Sequence, residues 1–283
     1  MNELTNKRLF LLDMDGTLYL DDRLFPGAAD FLAKIRACGG KYLFLTNNSS
    51  KGVDAYVEKM TRMGVPAAPA DFLTSVDALI VFLERTYGAA VKKKKMYVVG
   101  TRSFCAQLAA AGFLLTETPD DDTEILILGF DRELTYRKLE DACRLLVRGG
   151  QKSDARQAKN ALPAVDYYAT NPDWVCPTAF GSVPDCGSMA WMLEKATGRL
   201  PKFIGKPEPE MALLAMAQCG CSAPETLLIG DRLYTDIACG NRAGVDTAFV
   251  LSGEGTLADL AKGQGKPTYI FENIAEVCKA VFG

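Results

Sequence analysis

A short apolar run near the start of the chain ends in two acidic residues, Asp13 and Asp15, which are followed by Gly16. The run is brief and is bounded by a turn signal, which predicts a buried strand over 8–12. Residues i and i+2 of a strand share a face, so we expect both carboxylates to point into one site at the strand's C-terminal end. In an open α/β sheet that end is where ligands bind. Two carboxylates suit a hard divalent cation, and the N–H groups exposed by a turn at Gly16 suit a phosphate. A solvated aspartate turn has the same local sequence, so the remaining motifs are needed to distinguish it from a binding site.

The composition is that of an ordinary globular protein and narrows the possible chemistry. The 283 residues, 48% hydrophobic and 24% charged, fit one large domain or two of average size. The net charge of −3 argues against a nucleic-acid or membrane partner. The chain contains no histidine, which excludes a Ser-His-Asp or Cys-His nucleophile and any imidazole-bound metal. Acid–base chemistry near neutral pH must therefore use carboxylates, lysine, tyrosine or cysteine.

Cysteine usage and hydropathy predict a cytoplasmic protein. The nine cysteines form no C-x-x-C pair, and reduced thiols in the cytoplasm are the simplest explanation. Asp13 and Asp15 interrupt the first apolar stretch, which argues against a secretory signal. We also find no segment that approaches the ~20 apolar residues of a membrane span.

Strand and helix patterns alternate along the whole chain. Short apolar runs predict buried strands at 8–12, 41–45, 96–99, 125–128, 166–169, 227–229 and 247–251. Helical patterns fill most of the intervals, and several of them are closed by glycine. This alternation predicts an α/β fold in which the strands between 96 and 169 form a smaller α/β module. The interval 149–163 is polar, has no apolar face and is predicted to be an exposed excursion.

Further strand ends and loops carry polar residues of the same character as the first. Thr46 and Asn47 follow the second strand, where a hydroxyl and amide N–H groups could hold phosphate oxygens; a helix-capping turn is the alternative. Lys206 lies on a Gly-Lys-Pro turn, although a lysine in a loop is ordinarily solvated. Asp231 follows the strand at 227–229, and Asp236 is expected in the first turn of a helix, where it could simply favour the helix dipole.

These signals are weak singly, but they occur together and in order. Neighbouring strand ends converge at the switch point of a doubly wound sheet. The acidic residues, Thr46 and Lys206 would then form one acidic pocket balanced by a cation. Such a pocket fits phosphoryl transfer through an aspartyl phosphate.

The chain resembles the haloacid dehalogenase (HAD) superfamily of phosphohydrolases, and within it the NagD and p-nitrophenyl phosphatase-like subfamily. Four stretches match the superfamily's motifs in order: Leu12-Asp13-Met14-Asp15-Gly16-Thr17-Leu18, Phe44-Leu45-Thr46-Asn47-Asn48-Ser49, Gly205-Lys206-Pro207-Glu208-Pro209 and Ile229-Gly230-Asp231-Arg232-Leu233-Tyr234-Thr235-Asp236-Ile237. A further stretch, Ala169-Thr170-Asn171-Pro172-Asp173, matches an element near the junction of core and cap. The resemblance covers nearly the whole chain.

The resemblance implies roles for the acidic residues. Asp13 would be the nucleophile that attacks phosphorus. Asp15 would be the general acid for the leaving alcohol and then the base for the hydrolytic water. Mg²⁺ would be held by the Asp13 carboxylate, the Asp15 backbone carbonyl and Asp231, and Asp236 would orient the metal's waters or Lys206. A carboxylate nucleophile is ionised at neutral pH, since its reference pKa is about 3.9.

The resemblance also implies a phosphate-binding set. Thr46, the amide of Asn47 and Lys206 would bind the transferring phosphoryl group, so that Thr46 and Lys206 count among the catalytic residues. The N–H groups at the Gly16 turn would complete this set.

The subfamily carries an α/β cap inserted between the second and third motifs. The resemblance therefore implies a Rossmann-like, doubly wound parallel-sheet core over 1–79 and 181–283, with the cap over 80–180. Asn171 and Asp173 are the cap residues expected to touch substrate; an Asx turn around Pro172 is the alternative. The excursion at 149–163 is longer than in the proteins that the chain resembles.

The function implied is Mg²⁺-dependent hydrolysis of a small-molecule phosphate ester, such as a sugar phosphate or nucleotide. One alternative is transfer of the phosphoryl group to a second substrate, or mutase chemistry, on the same intermediate. Another is a phosphorylatable signalling domain resembling response-regulator receivers, against which the D-x-D-G-T spacing, the inserted module and the length all count. A binding protein with a vestigial site is a third alternative, but every position expected to do chemistry has a suitable residue. The sequence leaves the substrate and a possible homodimer open.

Overall fold

A computed structural model describes residues 3–148, 162–178, 180–263 and 265–283. Within these ranges the strands, numbered along the chain, are β1 (Leu9–Leu12), β2 (Tyr19–Leu20), β3 (Arg23–Leu24), β4 (Lys41–Thr46), β5 (Phe72–Thr74), β6 (Lys95–Val99), β7 (Leu114–Thr116), β8 (Thr123–Leu128), β9 (Asp166–Ala169), β10 (Val175–Thr178), β11 (Gly181–Pro184), β12 (Lys202–Phe203), β13 (Thr226–Gly230), β14 (Asp246–Val250) and β15 (Tyr269–Phe271).

The α-helices, numbered in the same way, are α1 (Ala28–Ala37), α2 (Val53–Arg62), α3 (Ser75–Tyr87), α4 (Arg102–Ala110), α5 (Tyr136–Leu146), α6 (Cys186–Thr197), α7 (Glu210–Cys219), α8 (Ala238–Ala243), α9 (Leu257–Ala261) and α10 (Ile274–Phe282). Short 3₁₀ helices cover Glu3–Asn6, Pro69–Asp71 and Gly88–Lys93, and a π-helical turn covers Leu233–Ile237. No helix among the described residues is both long enough and apolar enough to cross a bilayer.

The chain divides into two compact units. The first comprises Met1–Thr46, Val53–Ser75 and Gly205–Gly283, and the second comprises Asn47–Gly52 and Val76–Ile204. These units place α6 with the second unit, because its buried side chains pack into that unit's hydrophobic core. The predicted domains, 1–79 with 181–283 and 80–180, differ from the units at these edges and stay a prediction.

The first unit contains a parallel sheet with the strand order β15-β14-β13-β1-β4-β5. The chain starts at the centre in β1, adds β4 and β5 on one side, and returns to add β13, β14 and β15 on the other. This order confirms the doubly wound, Rossmann-like core, whose switch point lies between β1 and β13. Two of its strands, β5 and β15, were not predicted, since each has only three residues.

Helices cover the first sheet because its strands are apolar on both faces. All four residues of β1 are buried. The ring of Phe10 packs edge-on against Phe31 of α1, with centroids 5.5 Å apart and planes at 83°. Burying side chains of this size contributes about 1.5–3 kcal/mol each. The apolar core thereby fixes where β1 ends and where the polar residues after it begin.

The second unit has its own parallel sheet, in the order β12-β9-β8-β6-β7. Side-chain caps begin its main helices: Thr101 accepts a hydrogen bond from the Phe104 N–H at α4, and Thr135 accepts one from the Lys138 N–H at α5. An antiparallel hairpin of β10 and β11 precedes α6. The sheet confirms the predicted strands at 96–99, 125–128 and 166–169. Residues 149–161 of the predicted excursion lie outside the described residues.

Candidate active site

The site in the first unit begins at the two central strands of the sheet. Leu12 of β1 lies opposite Ile229 of β13, and the Asp13 N–H donates a hydrogen bond to the Ile229 carbonyl at 2.9 Å. Asp13 and Asp231 therefore leave the sheet at the same edge, at the switch point. Convergence of these two strand ends was predicted from the sequence.

Three carboxylates meet at this edge. One oxygen from each of Asp13, Asp231 and Asp236 lies within 4.8 Å of the others. Asp236 comes from the π-helical turn, where its second oxygen accepts a hydrogen bond from the Arg232 N–H at 3.1 Å. The exposed fraction is 16% for the Asp13 side chain and 1% for that of Asp236. The cluster is thus largely withdrawn from water.

Lys206 supplies the cation of the cluster. Its Nζ lies 2.5 Å from Asp13 Oδ1 and 2.7 Å from Asp236 Oδ1, and it also donates to the Leu45 carbonyl at 3.2 Å. The side chain is only 2% exposed. A buried lysine with two carboxylate partners is not the solvated loop lysine that was the alternative for this position.

Negative charge nevertheless exceeds positive charge in the cluster. Burial, and then repulsion from Asp236, raise the pKa of Asp13 well above the ordinary value of about 3.9 from which an ionised nucleophile was predicted, although Lys206 opposes this shift. The same two causes raise the pKa of Asp231 to about 6. Burial alone would lower the pKa of Lys206, but the two adjacent carboxylates outweigh it and raise that pKa. Three carboxylates against one lysine leave an excess of about two negative charges when all are ionised.

Asp231 is held by a loop that the sequence analysis did not single out. Its Oδ2 accepts the Glu254 N–H at 2.7 Å, and its Oδ1 accepts the Thr17 hydroxyl at 3.2 Å. Gly16 has φ +86°, and a Cβ built there would lie 2.7 Å from the Asp231 carboxyl carbon. The Ser252 hydroxyl also donates to the Gly16 carbonyl at 2.8 Å. The glycine is therefore required both for the turn and for room beside the carboxylate.

Asp15 does not join the three carboxylates, contrary to the expectation that it shares a face with Asp13. Strand β1 ends at Leu12, so the two-residue alternation of a strand no longer applies beyond it. The Asp15 carboxylate instead faces Lys59 of α2, with Oδ1 3.7 Å from Nζ. Its Oδ2 lies 3.5 Å from the Tyr19 hydroxyl. Its predicted metal contact, through the backbone carbonyl, stays a prediction.

Thr46 is the last residue of β4, and its side chain is buried. The preceding Leu45 carbonyl accepts from Lys206, so the end of β4 and the Lys206 turn are in direct contact. A hydroxyl at this strand end is where the sequence analysis placed it. Its contact with phosphate stays a prediction.

The second unit brings together the remaining predicted residues. The side-chain amides of Asn47 and Asn171 donate to Asp173 Oδ2 at 2.9 and 2.8 Å. Asn171 also donates to Asp185, the N-cap residue of α6, at 3.3 Å. All four side chains are buried. The network explains why these residue types occur here, and substrate contact by Asn171 and Asp173 stays a prediction.

The donor set fits a hard divalent cation. Such cations take carboxylate oxygens as ligands, and the raised pKa of Asp231 marks negative charge that a cation would compensate. Asp13, Asp231 and Asp236 each offer a carboxylate oxygen to such a cation, and Lys206 already pairs with two of the three, Asp13 and Asp236.

Two family matches and a relative of known activity identify the same group of hydrolases. The family described as haloacid dehalogenase-like hydrolase matches residues 10–114, and the one described as HAD-hydrolase-like matches residues 203–277. The acid sugar phosphatase of Staphylococcus aureus is 32% identical over 270 residues, which cover 95% of this chain and 96% of that protein.

Solved structures agree with the family matches. The 4-nitrophenylphosphatase of Thermotoga maritima superimposes with a TM-score of 0.85 at 36% identity, covering 99% of this chain and 100% of that one. The glycerol phosphate phosphatase of Mycobacterium tuberculosis in complex with magnesium gives a TM-score of 0.82 at 27% identity, covering 99% and 78%.

Proposed function

The chain belongs to the haloacid dehalogenase-like hydrolases, in the branch of NagD and the nitrophenylphosphatases, and from that premise we propose that it hydrolyses small phosphomonoesters with Mg²⁺ through an aspartyl phosphate on Asp13. The observation that carries the proposal is the buried cluster of Asp13, Asp231, Asp236 and Lys206 at the switch point. The family relatives act on sugar phosphate, nitrophenyl phosphate and glycerol phosphate by their names, which supports small phosphate esters as the substrate class.

In the first half-reaction, a carboxylate oxygen of Asp13 attacks phosphorus. The bond between phosphorus and the ester oxygen breaks, and the leaving oxygen takes a proton from Asp15. This role for Asp13 is supported by its place directly after β1, a central strand of the sheet. Lys206 neutralises part of the charge that Asp13 and the phosphoryl group would otherwise bring together.

In the second half-reaction, water attacks the phosphorus of the aspartyl phosphate. Its proton goes to the Asp15 carboxylate, the bond to Asp13 breaks, and inorganic phosphate leaves. The proton that Asp15 gave to the alcohol is thereby replaced, and the enzyme returns to its starting state. Thr46, the Asn47 amide and the N–H groups at Gly16 are proposed to hold the phosphoryl oxygens through both steps.

Mg²⁺ would be held by Asp13, the Asp15 carbonyl and Asp231, and would supply the positive charge that the pocket lacks. The choice of Mg²⁺ is supported by the mycobacterial relative, which was crystallised with magnesium. Asp236 is proposed to contribute indirectly, as the carboxylate that lies 2.7 Å from Lys206 Nζ and holds this lysine beside Asp13.

The test is release of inorganic phosphate from a panel of phosphomonoesters, with Mg²⁺ or with a chelator, for the wild type and Asp13→Asn. We expect Mg²⁺-dependent release that the substitution abolishes. Asp30→Asn, an exposed aspartate on α1, is the matched control and should retain activity. Release that persists in Asp13→Asn would overturn the proposed nucleophile, and no release by the wild type would overturn hydrolysis.

Water must also be shown to be the acceptor. The same reactions run with added glycerol or glucose should yield inorganic phosphate as the only new phosphorus species by ³¹P NMR. A phosphorylated acceptor formed at the expense of phosphate would replace hydrolysis with phosphotransfer.

A further inference from the structure

Helix α2 presents a lysine to Asp15 that no sequence motif indicates. Lys59 Nζ lies 3.7 Å from Asp15 Oδ1 and 3.8 Å from the centroid of the Tyr19 ring. The lysine side chain is 19% exposed, whereas that of Asp15 is 44% exposed. The lysine is therefore the more confined of the two partners.

The surroundings of Lys59 restrict its position. Tyr19 is fully buried, and an ammonium group over an aromatic face is attracted by the ring. Tyr19 also lies 3.5 Å from the second oxygen of Asp15 through its hydroxyl. A phenol hydroxyl can donate to that oxygen. The two carboxylate oxygens thus face two different donors.

This arrangement contributes little to folding. A partly exposed ion pair at 3.7 Å is worth about 0–1 kcal/mol. Asp15, in contrast, follows the end of β1 on a turn and is almost half exposed. A side chain in such a place has several rotamers available, and proton transfer requires one of them.

We propose that Lys59 is a positioning residue for Asp15, which it holds in the rotamer that delivers a proton to the leaving oxygen. The inference rests on the proposed function, since it assigns Lys59 a part in the first half-reaction. Lys59 itself neither gives nor takes the proton: the proton moves from Asp15 to the ester oxygen as the phosphorus–oxygen bond breaks. Its ammonium group also lies beside the carboxylate charge that forms on Asp15 in that step.

The consequence depends on the leaving group. An alkoxide is a poor leaving group and requires the proton, whereas 4-nitrophenolate delocalises its charge and leaves with little help. Removing Lys59 should therefore slow hydrolysis of glycerol phosphate more than that of 4-nitrophenyl phosphate. The ratio of kcat/KM for the two esters measures this effect, because kcat/KM reports only the steps up to departure of the alcohol.

The experiment compares Lys59→Met, Lys59→Arg and Arg62→Met with the wild type on both esters in the presence of Mg²⁺. Arg62 is an exposed residue of the same helix and serves as the control. In Lys59→Met, we expect kcat/KM to fall about 10- to 100-fold for glycerol phosphate and less than about 3-fold for 4-nitrophenyl phosphate, within the range of general acid catalysis. Lys59→Arg should restore much of the loss, and Arg62→Met should leave the ratio unchanged.

A second comparison tests whether Lys59 acts through Asp15. In an Asp15→Asn background, adding Lys59→Met should produce no further loss on glycerol phosphate. Equal losses on both esters, or independent losses in the double variant, would overturn the positioning role. If circular dichroism shows that Lys59→Met does not fold, Lys59→Arg is compared with the wild type instead. A lower kcat/KM on both esters, with an unchanged ratio between the esters, would then overturn the positioning role. Failure of the proposed function would appear separately, as absence of phosphate release by the wild type.

Discussion

Replacing Lys206 by methionine should destabilise the first unit and abolish activity for the same reason. The substitution keeps an unbranched side chain but removes the cation that lies 2.5 Å from Asp13 and 2.7 Å from Asp236. Both carboxylates are then enclosed without their partner. Removing one member of a buried ion pair costs about 3–5 kcal/mol, and with 2–4 °C per kcal/mol for a chain of this size class the melting temperature should fall by roughly 6–20 °C.

The stability lost in Lys206→Met should increase with pH. Burial and Asp236 already raise the pKa of Asp13 while Lys206 opposes them, so loss of the lysine raises it further. At pH 5 the orphaned Asp13 takes up a proton, and the difference in stability between variant and wild type should shrink. At pH 7.5 protonation of Asp13 costs more free energy, and the difference in stability between variant and wild type should be larger than at pH 5.

Far-UV circular dichroism is the appropriate probe, in metal-free buffer at both pH values. Trp174 and Trp191 both belong to the second unit, so their fluorescence follows that unit and provides an internal control. The double variant Lys206→Met with Asp236→Asn removes one orphaned carboxylate; it should recover stability but not phosphatase activity. A Lys206→Met variant as stable as the wild type at pH 7.5, or a double variant no more stable than the single one, would refute the reasoning.

Three other perturbations test separate parts of the structure. Because the folded-state pKa of Asp231 is about 6 and its unfolded value is about 3.9, the folded protein holds an extra proton between these values. The wild-type free energy of unfolding, measured against Asp231→Asn in urea with a chelator, should therefore fall as pH rises from about 4 through 6, by on the order of 3 kcal/mol, and Mg²⁺ should remove the fall. Gly16→Ala places a Cβ 2.7 Å from the Asp231 carboxyl carbon at φ +86°. The substitution should lower the free energy of unfolding by about 1–3 kcal/mol and weaken Mg²⁺ binding in a thermal-shift titration. An unchanged Mg²⁺ affinity would contradict the close packing. Ser49→Ala removes a buried hydroxyl that accepts the Phe130 N–H at 2.9 Å. Urea unfolding followed by tryptophan fluorescence should show a free energy of unfolding lower by about 1–3 kcal/mol. An unchanged free energy would mean that the Phe130 N–H finds another partner.

The fold of the first unit was largely readable because its strands are buried on both faces. Leu9–Leu12 is continuous and apolar, Thr226–Gly230 is buried along its whole length, and each is followed directly by an aspartate. The edge strands β5, β7 and β15 were missed, since three residues are too few to show a period. Strand 247–251 was taken as the last one for this reason.

The sequence by itself determined which residues stand at the ends of strands, because an apolar run must stop where the sheet stops. That was sufficient to predict Asp13 and Asp231 at one edge. Lys206 was predicted to balance the acidic pocket, but tertiary structure alone decided which carboxylates the lysines pair with: Lys206 reaches Asp13 across 193 positions of sequence, and Lys59 reaches Asp15 from helix α2. Ion pairs between distant segments leave no local pattern, since their energy depends on distance and burial in three dimensions rather than on spacing along the chain.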